Sequence, residues 1–366
     1  MNDWICGMDV STLLEVEECG GRFSDKGAPG DAMEILHRHG MNLVRLRLWN
    51  DPYDEDGSPY GAGCCDLKRV TRLAARAQGL GLPWLLDFHY SDFWADPGKQ
   101  TIPKAWQGLD ETGLEKAVYQ YTFSVMVKLM QAGLPPAMVS VGNELTNGLL
   151  WPRGKVPDFG NIARLVGAGI RAVRAAEDAI PVMIHLDNGG NNALYREWFD
   201  RYFACGGLDF EYIGLSYYPF WHGSMADLRE NLHDLALRYH KDLVVAETST
   251  GFTLDDYAQY EKLSERKGMA ANPALAARIP YAMTPAGQCK FLRDLAGVLH
   301  RVPEGRGKGF IYWEPAWIPV PGSGWATEAA LRYTGEKGPG GNEWANQALF
   351  DYEGRALPAV HILSEL

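Results

Sequence analysis

Asn42-Leu43-Val44-Arg45-Leu46-Arg47-Leu48-Trp49 reads as a strand whose two faces differ: Val44, Leu46 and Leu48 fall on one side, Arg45, Arg47 and Trp49 on the other. Two guanidinium groups on one face of an apolar strand are costly to bury unless that face meets compensating charge. Later strand-like runs supply polar partners. Asp87 and His89 share a parity within Pro83 to Tyr90, His185 and Asp187 within Pro181 to Asp187, and Ser216 and Tyr218 within Tyr212 to Tyr218. Polar residues gathered on one face, near the C-terminal ends of successive strands, describe the mouth of a closed parallel barrel.

Outward from that run, strands alternate with helices. The predicted strands are Trp4 to Ser11, Asn42 to Trp49, Pro83 to Tyr90, Met138 to Glu144, Pro181 to Asp187, Tyr212 to Tyr218, Asp242 to Thr248 and Gly309 to Glu314. Helix-like segments lie between them at Gly30 to His39, Leu67 to Gln78, Thr112 to Ala132, Asn161 to Glu177, Asn192 to Cys205, Met225 to Tyr239 and Thr284 to His300. Asp31 caps the first of these and Gly40 ends it. Behind a Gly/Pro-rich loop, Leu349 to Leu366 reads as a closing helix. Strict βα alternation calls for a parallel sheet and eight units call for closure, so the expected fold is α/β, a single-domain (β/α)8 TIM barrel over residues 1–366. A doubly wound open sheet competes, but no GxGxxG turn follows the first strand to support it.

The chain has 366 residues, a net charge of −11 and a pI near 5.3. That acidic balance, with no lysine- or arginine-rich run, argues against an electrostatic grip on nucleic acid or on an anionic membrane. No apolar stretch reaches the ~18 residues of a membrane span. Cys6, Cys19, Cys64, Cys65, Cys205 and Cys289 show no metal-ligand spacing, and a chain of this size needs no disulfide staples, so most are read as reduced thiols. No leader-like segment precedes the first strand, which fits a cytoplasmic protein or a secreted one read without its signal peptide. A monomer is expected. Tryptophan (12) and tyrosine (17) are plentiful and occur in loops as well as apolar runs. Flat rings with a polar edge suit the C–H faces of a sugar.

Two glutamates end strand-like runs about a hundred residues apart: Glu144 in Val139-Ser140-Val141-Gly142-Asn143-Glu144, and Glu247 in Leu243-Val244-Val245-Ala246-Glu247-Thr248-Ser249. Either acid alone reads as a strand-end residue satisfied by a cap or an arginine. Together at one barrel mouth they invite a choice among chemistries. The first strand offers Asp9 and no His-x-His, and His89 and His185 stand singly, so no catalytic metal is expected. No lysine lies within the eight strands, which removes a Schiff base. The eighth loop, Trp313-Glu314-Pro315-Ala316-Trp317-Ile318-Pro319, is rich in rings rather than in the backbone donors of a phosphate site.

Glycoside hydrolysis fits best. A retaining enzyme needs one carboxyl to protonate the leaving oxygen and a second, ~5 Å away, as nucleophile. Asn143 offers a side chain to the sugar 2-hydroxyl. Tyr218 and Arg45 are placed to keep Glu247 ionised, while Glu144 is left in a less polar, anionic neighbourhood that raises its pKa.

Asn143-Glu144 on the fourth strand with Glu247 on the seventh resembles the clan A glycoside hydrolases. Longer strings are similar to the family 53 endo-β-1,4-galactanases: Gly7-Met8-Asp9-Val10-Ser11, Arg45-Leu46-Arg47-Leu48-Trp49-Asn50, Asp87-Phe88-His89-Tyr90-Ser91-Asp92, and Trp94-Ala95-Asp96-Pro97-Gly98-Lys99-Gln100. Pro103-Lys104-Ala105-Trp106, His185-Leu186-Asp187, Gly214-Leu215-Ser216-Tyr217-Tyr218-Pro219, Tyr312-Trp313-Glu314-Pro315-Ala316-Trp317 and Leu349-Phe350-Asp351 continue the likeness over nearly the whole chain. The resemblance implies hydrolysis of β-1,4-galactan, the side chain of type I arabinogalactan and pectin, with Glu144 as acid/base and Glu247 as nucleophile. It places Arg45, Asp87, His89, Asn143, Tyr218 and Trp313 around the attacked galactose, and His185 and Asp187 join them as candidate substrate-binding residues. Trp94, Trp221, Trp317 and Trp325 are candidate stacking platforms.

One departure bears on cofactors. Bacterial members of the family often carry a calcium-binding Asp-x-Asp-x-His-x-Asn string after the seventh strand. Here the stretch reads Asp255-Asp256-Tyr257-Ala258-Gln259-Tyr260-Glu261-Lys262, with Ala258, Tyr260 and Lys262 in place of oxygen ligands. No calcium, and no other metal or cofactor, is therefore expected. The eighth loop also reads as short and glycine-rich from Gly335 to Gly341, which bears on the number of glycone subsites.

Overall fold

Asp31, Asp66, Asp110, Asp158, Asn191, Ser224 and Thr284 each accept a hydrogen bond from a backbone N–H in the first turn of the helix that follows. Each pairs one of the donors that a helix start leaves open, typically worth about 1 kcal/mol. The helices so begun, from Ala32–Arg38 to Pro285–Leu299, alternate with strands throughout the computed structural model, which describes residues 4–257, 269–337 and 340–366.

The barrel strands are β1 (Ile5–Asp9), β2 (Leu43–Leu48), β3 (Trp84–Phe88), β4 (Met138–Val141), β5 (Val182–Leu186), β6 (Tyr212–Ser216), β7 (Asp242–Thr248) and β8 (Gly307–Trp313). Each pairs in parallel with its neighbours, and β1 closes on β8. The fold is the (β/α)8 barrel that the alternation predicts.

The lumen is layered. Ile5, Leu43, Leu85, Met138, Met183, Val244, Ala246 and Ile311 make a separate apolar cluster. Alternation then lifts Arg45, Asp87, Ser140 and His185, each two residues further along its strand, above that floor. The opposite parity (Val44, Leu46, Leu48, Phe88, Val139) packs with the helices in the main core.

β7 breaks this count. Val245 pairs with Leu215 but Glu247 with Ser216, and on the other side Val245 pairs with Phe310 while Thr248 pairs with Tyr312. Ala246 and Glu247 together occupy the length that Ile311 spans alone on β8. This is a β-bulge, which re-aims one side chain. Strict alternation after Val244 would have sent Glu247 outward among the helices.

Several elements lie outside the predicted rhythm. A helix at Leu13–Glu18 and a hairpin of Phe23–Asp25 with Ala28–Gly30 precede the first predicted helix, and a small hairpin, Gly148–Leu149 with Gly154–Lys155, follows β4. The eighth loop carries a helix, Glu328–Thr334, ahead of the glycine-rich stretch. The closing helix expected over Leu349 to Leu366 is corrected to two short turns, Pro358–His361 and Leu363–Glu365. Gly354 takes φ +77 at a point where a Cβ would meet the Arg22 carbonyl at 1.9 Å, and Pro358 lacks the N–H that a longer helix needs. All six cysteines are unbridged, and among the described residues no helix is long and apolar enough to cross a membrane.

Candidate active site

Arg45 rises from β2 into the centre of the barrel, buried, and serves three carboxylates at once. Its Nη1 lies 3.0 Å from Asp9 Oδ2 and 2.9 Å from Glu247 Oε1, and its Nη2 lies 2.8 Å from Asp87 Oδ2. Nη2 also donates to Asn143 Oδ1 at 2.9 Å. Burial disfavours the guanidinium charge, but Asp87, Glu247 and Asp9 outweigh that cost. Burial likewise raises Asp87, yet Arg45 and His89 pull its carboxyl down to about 2.

His89 Nδ1 accepts from Trp49 Nε1 at 3.2 Å and from the Ala95 N–H at 3.4 Å, so the ring proton sits on Nε2, facing Asp87 Oδ2 at 2.9 Å. That last contact is close but poorly aligned for a hydrogen bond, which makes it chiefly electrostatic. Burial lowers the His89 pKa, so the ring stays neutral.

Glu144 is brought to the mouth by a sharp turn after β4. Gly142 takes φ +85, where a Cβ would fall 2.6 Å from Leu145, and Glu144 itself is left-handed at φ +48. A non-glycine residue there carries roughly 1–2 kcal/mol of strain, which surrounding structure must offset. Asn143 supplies part of it: its Nδ2 donates to the Ala95 carbonyl at 2.8 Å, and Gln100 Nε2 donates to its backbone oxygen at 2.8 Å.

The two glutamates occupy unequal settings. Glu247 has the Arg45 guanidinium and the Tyr218 hydroxyl, which donates to Oε2 at 2.9 Å. Glu144 has no cation beside it among the described residues; Ser216 Oγ stands 2.6 Å from its Oε1. Burial raises Glu144 well above the ordinary carboxylate range, with Glu247 and Asp187 adding to the rise. Burial also lifts Glu247, against the pull of Arg45, so the expectation of a simply ionised Glu247 is refined. The separation between the two, with Glu144 the higher, is the physical signal.

A cleft opens over this pair. His89, Asn143, Tyr218 and Trp313 line it with both glutamates, as do Trp94 and Trp325. Trp94 and Trp325 stack at 4.4 Å with rings 18° apart, and the buried Arg47 guanidinium lies 4.6 Å from the Trp94 ring on its way to Glu314. Trp221 is 42 % exposed on the other side, against Tyr218 and Trp344.

Not every expected residue reaches the cleft. Trp317 is corrected: it is fully buried, its indole N–H donates to Ser323 Oγ at 3.2 Å, and it backs Trp325 rather than offering a face. Arg45, Asp87 and His185 are buried behind the lining, and Asp187 lies beside it with Oδ2 taken by Asn188. Asp96 and Trp344 also line the cleft, and Ser216 meets Glu144 behind it. Asp96 follows Trp94 by two residues and Ser216 shares the parity of Tyr218, whereas Trp344 sits in a loop with no periodic signal.

Among the described residues one trio has metal-ligand composition and spacing: Asp25, His39 and His361, with ligand atoms within 4.8 Å of one another. It lies off the cleft, and the two imidazoles bond the two carboxylate oxygens at 2.9 and 2.8 Å. These are hydrogen-bond lengths, and the contacts tie the helix Ala32–Arg38 to the C-terminal turn. Of the stretch read as a degenerate calcium string, Ala258 to Lys262 lie outside the described residues.

The family model described as Glycosyl hydrolase family 53 matches residues 5–363. An endo-β-1,4-galactanase of Bacillus subtilis is 35% identical over 379 residues, covering 98% of this chain and 85% of that protein. The solved catalytic domain of an Ignisphaera aggregans GH53 protein superposes with a TM-score of 0.90 at 40% identity, covering 99% of this chain and 96% of the other. A fungal β-1,4-galactanase structure gives 0.79 at 30% identity, with 98% of each chain covered.

Proposed function

The chain belongs to glycosyl hydrolase family 53 and is a glycoside hydrolase, and from that premise we propose that it cuts β-1,4-galactosidic bonds within galactan, retaining the anomeric configuration. The observation that carries the mechanism is the inequality of the two glutamates: one paired with Arg45 and Tyr218, the other with neither.

In this reading Glu247 attacks the anomeric carbon while Glu144 delivers its proton to the departing glycosidic oxygen. The C–O bond breaks and a galactosyl ester forms on Glu247. Glu144, now a carboxylate, takes a proton from water as that water attacks the same carbon and frees Glu247. Two inversions give net retention. Asn143 has its Oδ1 filled by Arg45 and His185, so its second Nδ2 hydrogen is the donor left for the 2-hydroxyl. The half-buried Trp325, backed by Trp94, suits the apolar face of a neighbouring sugar.

Linear galactan, mannan, xylan and cellulose, each incubated with the protein and assayed for new reducing ends, test the substrate. Short galacto-oligosaccharides from galactan alone support the proposal. Cleavage of another polymer instead reassigns the specificity, and cleavage of none removes the activity. The reading includes no calcium, because the string after the seventh strand lacks alternate oxygen ligands.

A further inference from the structure

With His185 uncharged, the hydrogen bonds around Glu144 all close only when Glu144 carries a proton. Asn143 Nδ2 faces the Ala95 carbonyl at 2.8 Å, so Oδ1 is the atom that meets Arg45 Nη2 and His185 Nδ1, both at 2.9 Å. An amide oxygen only accepts, so His185 Nδ1 must carry a hydrogen. His185 is fully buried, and burial together with Arg45 disfavours a second proton. Its Nε2 is then a bare lone pair, 2.8 Å from Ser216 Oγ. Ser216 has one hydrogen. If that hydrogen satisfies His185, the 2.6 Å contact between Ser216 Oγ and Glu144 Oε1 can be bridged only by a proton on Glu144.

We propose that Ser216 and His185 are positioning residues that store the acid proton of the free enzyme: Glu144 O–H donates to Ser216, Ser216 O–H to His185 Nε2, and His185 Nδ1–H to Asn143. When substrate arrives, a half-turn of the Glu144 carboxyl about Cγ–Cδ turns its O–H toward the glycosidic oxygen. Ser216 swings its hydroxyl to the oxygen now facing it, and His185 Nε2 gives up its donor. No proton travels along the chain; one bond at Ser216 is exchanged for another. Ionising Glu144 in the free enzyme therefore forfeits the Ser216–His185 bond, which favours the neutral acid.

Other charges also bear on the pair. Glu247 on β7, Asp187 after β5, Asp96 after β3 and the hydroxyls of Tyr218 and Tyr195 face Glu144. Arg45, Asp87, His89 and His222 face His185. All of these are retained in the variants below, so the effect of the chain can be isolated.

The relay takes its catalytic meaning from the glycosidase reading, but its test needs no substrate. Nitrogen-15 NMR of the wild-type ring, which depends on no variant folding, is expected to show neutral His185 with hydrogen on Nδ1. An Nε2–H tautomer or an imidazolium near neutral pH overturns the proposal. Carboxyl carbon-13 titration, with Glu144 assigned by its loss in Glu144→Gln, gives the second readout. His185→Asn places an amide N–H near the Nδ1 position but removes the acceptor for Ser216. It is expected to lower the Glu144 titration by about half a unit to one unit, the worth of one hydrogen bond. In a Ser216→Ala background the same change is expected to have no effect. No shift, an upward shift, or an equal fall in the Ser216→Ala background each overturns the relay. If galactan is not cleaved while these results hold, the substrate reading fails and the relay stands.

Discussion

Ser216 and Tyr218 stand two residues apart at the C-terminal end of β6, and each holds a different carboxylate: Ser216 meets Glu144 at 2.6 Å, and Tyr218 donates to Glu247 at 2.9 Å. One strand end thus touches both of the glutamates to which the proposed double displacement is assigned. A change at either residue is expected to act on one glutamate more than on the other.

Glu247→Ala removes the proposed nucleophile and leaves Arg45 and Tyr218 in place. Turnover of galactan is expected to fall by roughly 10⁴-fold or more, as in enzymes stripped of a covalent nucleophile. Added azide should then restore product with inverted anomeric configuration, read by NMR of the first product formed. Undiminished activity in this variant removes the assignment.

Glu144→Ala is expected to cost about 10²–10⁴-fold on galactan, whose leaving group needs protonation, and far less on aryl galactosides with good leaving groups. Equal losses on both substrate types count against its acid role.

The raised Glu144 also fixes a sign with pH. Its folded-state pKa lies above its unfolded value, so between the two the folded protein binds more protons. The contribution of this group to stability falls as pH rises through that window. Glu144→Gln should therefore match the wild-type Tm near pH 4 and exceed it above the raised pKa. Activity against pH is expected to show its alkaline limb above the usual carboxylate range.

Arg45→Ala leaves Asp9, Asp87 and Glu247 buried without their shared cation. Removing one partner of a buried ion pair typically costs roughly 3–5 kcal/mol. A urea midpoint unchanged from wild type contradicts the role of Arg45 as the hub.

Trp325→Ala and Trp317→Ala should separate binding from packing. The first is expected to raise KM on long galactan with a small change in Tm. The second opens a cavity in the core, and Trp→Ala changes of that kind cost about 3–5 kcal/mol. Equal KM effects from both variants are inconsistent with this division. Treatment with EDTA is expected to change neither Tm nor activity.

Much of this arrangement was legible because barrel strands repeat every two residues. Arg45, Asp87 and His185 each sit two positions beyond an apolar floor residue, and counting alone finds them. Counting fails at Glu247, because the extra residue at Ala246 is set by pairing with both neighbouring strands and leaves no mark in β7 itself. The left-handed turn at Glu144 is foreshadowed only by Gly142. Trp317 and Trp325 have the same side chain in neighbouring loop segments, and only loop packing decides which is buried. Trp344 and the turns after Leu349 depend likewise on long-range contacts.

The rings that line the cleft, with Trp317 packed behind them, also give the protein an optical property. Trp94, Trp313, Trp317, Trp325 and Trp344 form a contiguous set, with neighbouring centroids between 4.4 and 6.4 Å. At such spacings excited indoles exchange energy, so intrinsic emission reports on the group rather than on single residues. A sugar that displaces water from Trp325 or Trp344 changes the polarity seen by the whole set. Occupancy of the cleft thereby becomes visible without label or turnover, in an inactive variant as readily as in the working enzyme.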